Sequence, residues 1–179
     1  MDKSLELLPI SQVLEFSDQP LAWSLKLWAT GKEEFSEQDW HNFYANTKKS
    51  DYQNWDLAGT DQELLFLAMV NVAGKQEVVA SIGLCDFDDF EELRKYKPWI
   101  VAFVVRQDLR GSGVGTQVLQ LMEGKALEYG ITHIYLWTEG ERQFYENRGY
   151  QFVEQLIKKE RVIDVMEKSK QLIIFSYFL

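Results

Sequence analysis

The chain has 179 residues, 46% of them hydrophobic, which is enough for one domain over residues 1–179 with a substantial core. The net charge of −9, with no basic run longer than the interrupted segment 158–161, argues against a nucleic-acid-binding face. No apolar run reaches the length of a membrane span and no signal-peptide pattern opens the chain, so we expect a cytoplasmic protein without membrane contact.

The N-terminal third of the chain predicts a strand and two helices. Residues 5–10 are expected to form the strand, and residues 20–30 a helix that ends at Gly31. Ser36, with acidic residues directly after it, is typical of the N-cap of a second helix. The polar and aromatic residues 48–61 predict a loop.

The middle of the chain predicts a hairpin and a buried strand. Residues 64–72 and 77–84 are apolar, and residues 73–76 between them are expected to form the turn. Residues 99–105 are a continuous apolar run, which is typical of a strand covered on both faces.

The remaining elements are expected around a second amphipathic helix. Apolar residues recur on one side of residues 114–129, and Gly130 is placed to end that helix. Strands are predicted at residues 131–138, 151–158 and 171–179. This order of elements predicts a mixed α/β domain built around one sheet.

The segment between the buried strand and the helix, Arg110-Gly-Ser-Gly-Val-Gly-Thr116, has the composition of a phosphate-binding loop. Its alternate glycines let the backbone approach a ligand closely, since they carry no Cβ. The N–H groups at the start of the following helix, and the positive end of its dipole, favour an anion. Arg110 adds a permanent positive charge.

Three kinds of phosphate loop are compatible with this composition. A P-loop requires a lysine near its end, and none stands before Thr116. A dinucleotide fingerprint requires glycine at Thr116, but Glu139, after the next strand, keeps that possibility open as a ribose-binding acid. The third kind is a coenzyme A loop: Arg110-x-x-Gly113-x-Gly115 matches the coenzyme A signature of the GNAT acetyltransferase superfamily, which the chain resembles.

The resemblance continues downstream and covers roughly residues 80–155. In GNAT enzymes a strand is followed by a short helix carrying a tyrosine and by a Gly-aromatic turn, and Tyr145, Gly149 and Tyr150 match that pattern. Residues 99–105 are similar to the strand whose backbone pairs with the pantetheine arm.

The resemblance implies a single GNAT-like domain with a central, mostly antiparallel mixed sheet flanked by helices, and acetyl-CoA as cosubstrate without a metal. Thr138 stands where many members have asparagine and Arg142 where many have a small residue, which concerns how the far end of the cofactor is held rather than whether it binds. The cofactor-binding residues that it implies are Phe103, Val104, Val105, Arg110, Gly111, Ser112, Gly113, Val114, Gly115, Thr116 and Thr138.

Two residues are candidates for proton transfer. The resemblance places Tyr145 where the family's general acid stands, able to protonate the leaving thiolate of coenzyme A; otherwise it is a packing aromatic. Asp86 follows a strand and heads the acidic segment 86–92, so it could take a proton from the attacking amine, and its neighbours could hold a cationic substrate. A solvated loop is the alternative for that segment.

The remaining reactive side chains are expected to be inert. Acidic neighbours raise the pKa of the Cys85 thiol, so we expect a buried structural cysteine. His41 and His133 have no ligand-like spacing to other His or Cys residues, so we expect no metal site.

The sequence therefore favours transfer of an acetyl group from acetyl-CoA to a primary amine of a small molecule or peptide, directly within a ternary complex. A non-catalytic acyl-CoA-binding domain and a nucleotide-binding oxidoreductase are the alternatives. The sequence carries no signal for the acceptor's identity or for the oligomeric state.

Overall fold

A computed structural model describes residues 4–53 and 62–170 of the chain. The described residues contain seven strands: β1 Glu6–Pro9, β2 Glu63–Val72, β3 Lys75–Cys85, β4 Trp99–Val105, β5 His133–Thr138, β6 Gln151–Lys158 and β7 Arg161–Ser169. They form one sheet in the order β1-β2-β3-β4-β5-β7-β6. Neighbouring strands are antiparallel except β4 and β5, which are parallel. This confirms the predicted mixed α/β class with a mostly antiparallel sheet.

Helices cover both faces of the sheet. They are α1 Asp18–Trp28, α2 Glu37–Thr47, α3 Val114–Glu128 and the short α4 Arg142–Glu146. Along β2, Leu64 and Phe66 pack with α3 on one face, while Leu65 and Leu67 pack with α2 on the other. Because both faces are buried, β2 is apolar at consecutive positions instead of at alternate ones.

The cap signal at Ser36 and the turn signal at residues 73–76 are confirmed, whereas α1 ends at Trp28, before the Gly31 that was expected to stop it. Ser36 caps α2 in a reciprocal capping box, since its hydroxyl accepts from the Asp39 N–H at 3.2 Å and the Asp39 carboxylate accepts from the Ser36 N–H at 2.8 Å. The β2–β3 turn is at Ala73 and Gly74, both with positive φ, as a tight hairpin requires.

The sequence analysis missed β7. The β6–β7 turn uses Lys159 and Glu160, with φ of 46° and 65°. Such turns usually carry Gly or Asn, so these residues gave no turn signal. The strand predicted at residues 171–179 lies outside the described residues.

β4 is bent and separates from β5, which opens the centre of the sheet. The β3–β4 register shifts between Ser81 and Gly83, where Ala102 has φ of 50° and its carbonyl accepts from the Ser81 hydroxyl at 3.0 Å. Within the described residues, β4 pairs with β5 at Trp99 and Tyr135, at the start of β4. The later part of β4 therefore presents one edge to a cavity.

No helix in the described part of the chain is long and apolar enough to cross a membrane.

Candidate active site

The separation of β4 from β5 opens into a cavity of about 1040 Å³. One end is bounded by β4, the loop before α3, the end of β5 and α4. The other end is bounded by α1, α2 and the segment after β3. The cavity thus joins the predicted cofactor loop to the acidic segment.

The loop before α3 has the geometry of an anion site. Gly113 is the N-cap of α3 with φ of 91°, a conformation that favours glycine. Gly115 lies against β4, where a Cβ would stand 3.4 Å from Val105 Cγ2. The first turn of α3 therefore leaves its unpaired N–H groups beside the cavity, where an anion is stabilised.

Five of the seven predicted cofactor residues of the loop line the cavity, and Ser112 and Val114 do not. Arg110, Gly111, Gly113, Gly115 and Thr116 line the cavity. The Ser112 hydroxyl donates to the Leu109 carbonyl at 2.5 Å, and Val114 packs against the hydrophobic core. The side chains of Ser112 and Val114 therefore do not face the cavity, and only their backbone groups could contact a ligand there.

The predicted residues of β4 and β5 lie at the centre of the cavity wall. Phe103 and Val105 are half-buried there, Val104 is buried, and all three line the cavity. Thr138, buried at the end of β5, lines the cavity opposite them. The two separated strand ends therefore face each other across the space where a pantetheine arm could lie.

Tyr145 projects from α4 into the same cavity. Its ring makes edge contacts with Phe144 and Tyr150, with centroids 5.0 and 5.6 Å away. Burial, the largest cause, and the Glu141 carboxylate raise the pKa of the Tyr145 phenol, while Arg148 acts in the opposite direction. The phenol is therefore protonated at neutral pH, as a general acid must be before it acts.

Arg148 lines the cavity too, and the sequence analysis did not select it. Its Nε and Nη2 donate to the Thr116 hydroxyl at 3.0 and 2.6 Å, and Nη1 donates to the Phe144 carbonyl at 2.5 Å. Thirty-two positions separate Arg148 from Thr116, so only the fold brings this charge to the start of α3. The one sequence signal was its position beside Gly149 in the family block.

The acidic segment 86–92 is divided between the cavity and the solvent. Asp86 is 1% exposed, and Asp86, Asp88 and Asp89 all line the cavity. Glu91 and Glu92 are exposed. The two glutamates thus fit a solvated loop, Asp86 does not, and the half-buried Asp88 and Asp89 lie between these cases, so a role of the aspartates toward a substrate stays a prediction.

Negative charge accumulates at this end of the cavity. Burial raises the pKa of Asp88, and the neighbouring Asp89 carboxylate raises it further. Burial also raises the pKa of Asp89, against the effects of a hydrogen bond with Asp88 and of the Arg161 charge. Glu33, Glu63 and Glu139 line the same cavity, and Glu139 is paired with Arg161 at 2.6 Å. A bound cation would favour the ionised forms of these carboxyl groups, although Arg94 also lines this cavity.

The Acetyltransferase (GNAT) family profile matches residues 29–150, which span the cofactor loop, the separated strands and Tyr145. The chain belongs to the GNAT acetyltransferase family. No curated protein matches the sequence.

Solved GNAT structures share the fold at low sequence identity. An acetyltransferase described as YncA from Salmonella typhimurium, with acetyl-CoA, aligns with a TM-score of 0.64 and 12% identity, covering 96% of each chain. An aminoglycoside 6'-N-acetyltransferase complexed with coenzyme A aligns with a TM-score of 0.60 and 15% identity, covering 93% of this chain and 96% of that one. An IAA acetyltransferase from Bacillus cereus aligns with a TM-score of 0.57 and 15% identity, covering 93% of this chain and 99% of that one.

Cys85 of this GNAT protein is buried, as expected, and the two histidines lie outside the cavity lining. Cys85 is 5% exposed, its thiol donates to the Phe87 carbonyl at 2.7 Å, and burial, followed by Asp88, raises its pKa. His133 contacts Glu167 and Ser169 on the sheet, and neither histidine lines the cavity. Within residues 4–53 and 62–170, no cluster of His, Cys, Asp or Glu is arranged to hold a metal ion.

The GNAT cavity also has an aromatic wall that sequence reasoning did not place there. Trp28 of α1 stacks on Trp40 of α2 with ring centroids 5.3 Å apart, and Phe35 meets Trp40 edge-on at 5.2 Å. All three line the cavity. Their position at a cavity depends on how α1 and α2 pack on the sheet, which no local sequence pattern specifies.

The half-buried Asp88–Asp89 pair should reduce the stability of this GNAT fold at neutral pH. The raised pKa of Asp88 means that ionising it costs more in the folded protein than in the unfolded chain, where aspartate titrates near about 3.9. Asp88→Asn removes that cost, and its amide oxygen can accept from the Asp89 N–H as Asp88 Oδ1 does at 2.8 Å. We expect Tm at neutral pH to rise by about 2–4 °C, the equivalent of about 1 kcal/mol in a chain of this size.

The sign of this effect depends on pH. The gain from Asp88→Asn should be present in full above the raised pKa, should shrink as the pH falls, and should vanish well below about 4, where the parent carboxyl is protonated in both states. Asp108→Asn is the matched control, because Arg106 lowers the pKa of Asp108 and the substitution should not stabilise the protein. Thermal unfolding across pH measures both variants. An unchanged or lower Tm for Asp88→Asn at neutral pH would contradict the electrostatic account.

Proposed function

We propose that this GNAT protein transfers an acetyl group from acetyl-CoA to a primary amine, by direct attack within a ternary complex. The observation that supports this most strongly is the continuity of one cavity. It contains the glycine loop at the start of α3, the open edge of β4, Tyr145 and the aspartates after β3. Acetyl-CoA or coenzyme A is bound in solved relatives of the same fold.

The binding steps follow from the loop and the strand edge. The N–H groups at the start of α3, with Gly113 as the cap, would hold the pyrophosphate of the cosubstrate. The backbone of Phe103 to Val105 would align the pantetheine arm along the open edge of β4, much as a neighbouring strand would pair there. This arrangement leaves the thioester between the two ends of the cavity.

The ammonium group must lose two protons and the leaving thiolate must gain one. A primary amine has a pKa near about 10.4, so at neutral pH a carboxylate, here Asp86, would accept the first proton directly or through water. The amine nitrogen then forms a bond to the acetyl carbonyl carbon, the carbon–sulfur bond breaks, and Tyr145 would give its phenol proton to the leaving thiolate. The nitrogen would release its second proton to the Tyr145 phenolate, directly or through water. The products are the N-acetylated amine and free coenzyme A.

The acceptor end of the cavity favours a cationic amine with an apolar body. Carboxylates from four parts of the chain surround it, and the Trp28–Trp40 wall supplies apolar surface and π faces that attract cations. Incubation with acetyl-CoA and a library of amines, followed by mass spectrometry, tests this assignment. Acetylated primary amines, and none among neutral alcohols of the same skeletons, are expected. Acetylation of alcohols alone would contradict transfer to nitrogen.

Neutralising the aspartates at the acidic end of the cavity should weaken binding of the acceptor and leave binding of acetyl-CoA unaffected. In the triple variant Asp86→Asn, Asp88→Asn, Asp89→Asn, we expect KM for the amine to rise by about tenfold or more. In the parent, added salt should weaken binding of the amine, because interactions between exposed charges are screened beyond about 8–10 Å at physiological ionic strength. KM for acetyl-CoA should barely change.

Asp86→Asn alone separates binding from proton transfer. Loss of a base should cut kcat/KM for the amine mainly at low pH, where little amine is already neutral. Asp88→Asn and Asp89→Asn should lack that dependence on pH. If acceptor KM and its response to salt are the same in the triple variant as in the parent, the three aspartates do not contact the acceptor.

A further inference from the structure

Arg148 is an unusual cation for its position in the fold. It lies at the start of α3, where the helix dipole presents positive potential and a positive side chain is unfavourable. Within the described residues its guanidinium contacts the Thr116 hydroxyl, the Phe144 carbonyl and the Phe144 ring, none of which is a carboxylate. A bound anion would compensate the positive charge of Arg148 and would explain why an arginine occupies this position.

The guanidinium is also held in a fixed place. It stacks on the Phe144 ring with its carbon 3.6 Å from the centroid, while hydrogen bonds to Phe144 and Thr116 fix it from two further directions. A preorganised arginine loses little conformational entropy when it binds phosphate oxygens in a fork. By contrast, Arg110 is exposed and is held by a single recorded hydrogen bond, from its Nε to the Val105 carbonyl.

The two neighbouring lysines share one carboxylate, which Arg148 does not contact. Lys168 and Lys170 both pair with the buried Glu123 carboxylate at 2.8 Å. Arg148 lies between the main cavity and a smaller one of about 320 Å³, which Lys168 and Glu123 also line. Arg148 is thus the fixed arginine at the junction of two cavities that a phosphorylated ligand can reach.

We propose that Arg148 binds a phosphate of the cosubstrate and makes recognition of coenzyme A depend on that phosphate. The proposal rests on the proposed function, since it takes acetyl-CoA as the ligand. Thr116 holds the guanidinium in place, and a phosphate oxygen accepts the N–H donors on its open side. The pyrophosphate and the 3′-phosphate of coenzyme A share this chemistry, and the ligands used in the test distinguish them.

Calorimetric titration of Arg148→Gln with coenzyme A, dephospho-coenzyme A and pantetheine tests the proposal. We expect the affinity of Arg148→Gln for coenzyme A to be lower than that of the parent by about tenfold or more. We also expect this affinity to depend less on salt in the variant than in the parent. An equal loss with dephospho-coenzyme A places the contact at the pyrophosphate. A loss confined to coenzyme A places it at the 3′-phosphate. Arg148→Lys, which keeps the charge without the fork, should recover part of the affinity.

Arg142→Gln is the matched control. Arg142 begins α4, six residues before Arg148, pairs with Glu146 at 2.7 Å, stacks on Phe152 and lines neither cavity. Its affinity for coenzyme A should equal that of the parent. Equal affinities in the parent, Arg148→Gln and Arg148→Lys would overturn the role of Arg148 while leaving the proposed function intact. A parent that binds no coenzyme A would instead overturn the proposed function.

Discussion

Tyr145→Phe is expected to lower kcat by about 10²–10⁴-fold, the range that general acid catalysis contributes, with acetyl-CoA affinity nearly unchanged. The substitution keeps the ring and its edge contacts with Phe144 and Tyr150, and it removes only the proton donor. The raised pKa of Tyr145 keeps the phenol protonated at neutral pH, so a proton donor is in place before the thiolate leaves. Steady-state kinetics with acetyl-CoA and an identified amine measures the effect.

Tyr150→Phe is the control for that experiment. Tyr150 packs against Tyr145 with ring centroids 5.6 Å apart, but it is buried and lies outside the cavity lining. Its loss should leave kcat close to that of the parent. If Tyr145→Phe retains kcat within about twofold, the residue is a packing aromatic and the proton comes from another group.

Gly113→Val is expected to lower the affinity for coenzyme A by about tenfold or more, equivalent to about 1.4 kcal/mol. Gly113 has φ of 91°, so a branched residue is strained there and shifts the N–H groups at the start of α3. No protein atom lies within 4 Å of the position its Cβ would take, so the new side chain extends into space that a phosphate would share. Calorimetric titration with coenzyme A measures the change.

Gly130→Val separates strain from binding. Gly130 follows the other end of α3 with φ of 76°, and its Cβ would likewise meet nothing within 4 Å. This variant should lose comparable stability and keep its affinity for coenzyme A. A folded Gly113→Val protein with the parent's affinity would remove the loop from the cofactor site.

The parts of the fold that were predictable are those specified by local sequence. The bounds of β4 and β6 match the structure because apolar runs and turn residues delimit them. The cap at Ser36 and the glycines around α3 were readable for the same reason. β7 was missed because its turn at Lys159 and Glu160 carries no residue that favours positive φ.

The parts of the site that could not be predicted depend on tertiary structure. The burial of Asp86 follows from the position of β3 beneath α1 and α2, which no local pattern specifies. Arg148 reaches Thr116 only because α4 packs beside the start of α3. The sequence motif indicated Arg110, which lies in the glycine loop itself, whereas the fold brings Arg148 to the same loop from a distant segment of the chain.

Initial rates of thiol release, measured while acetyl-CoA and an amine are both varied, test the central claim most directly. The account predicts release that requires the amine and reciprocal plots that intersect, because both substrates occupy one cavity before the acetyl group moves. Parallel lines would indicate an acyl-enzyme instead of direct transfer. Thiol release that no amine stimulates would contradict the assignment of this cavity as the active site of an N-acetyltransferase.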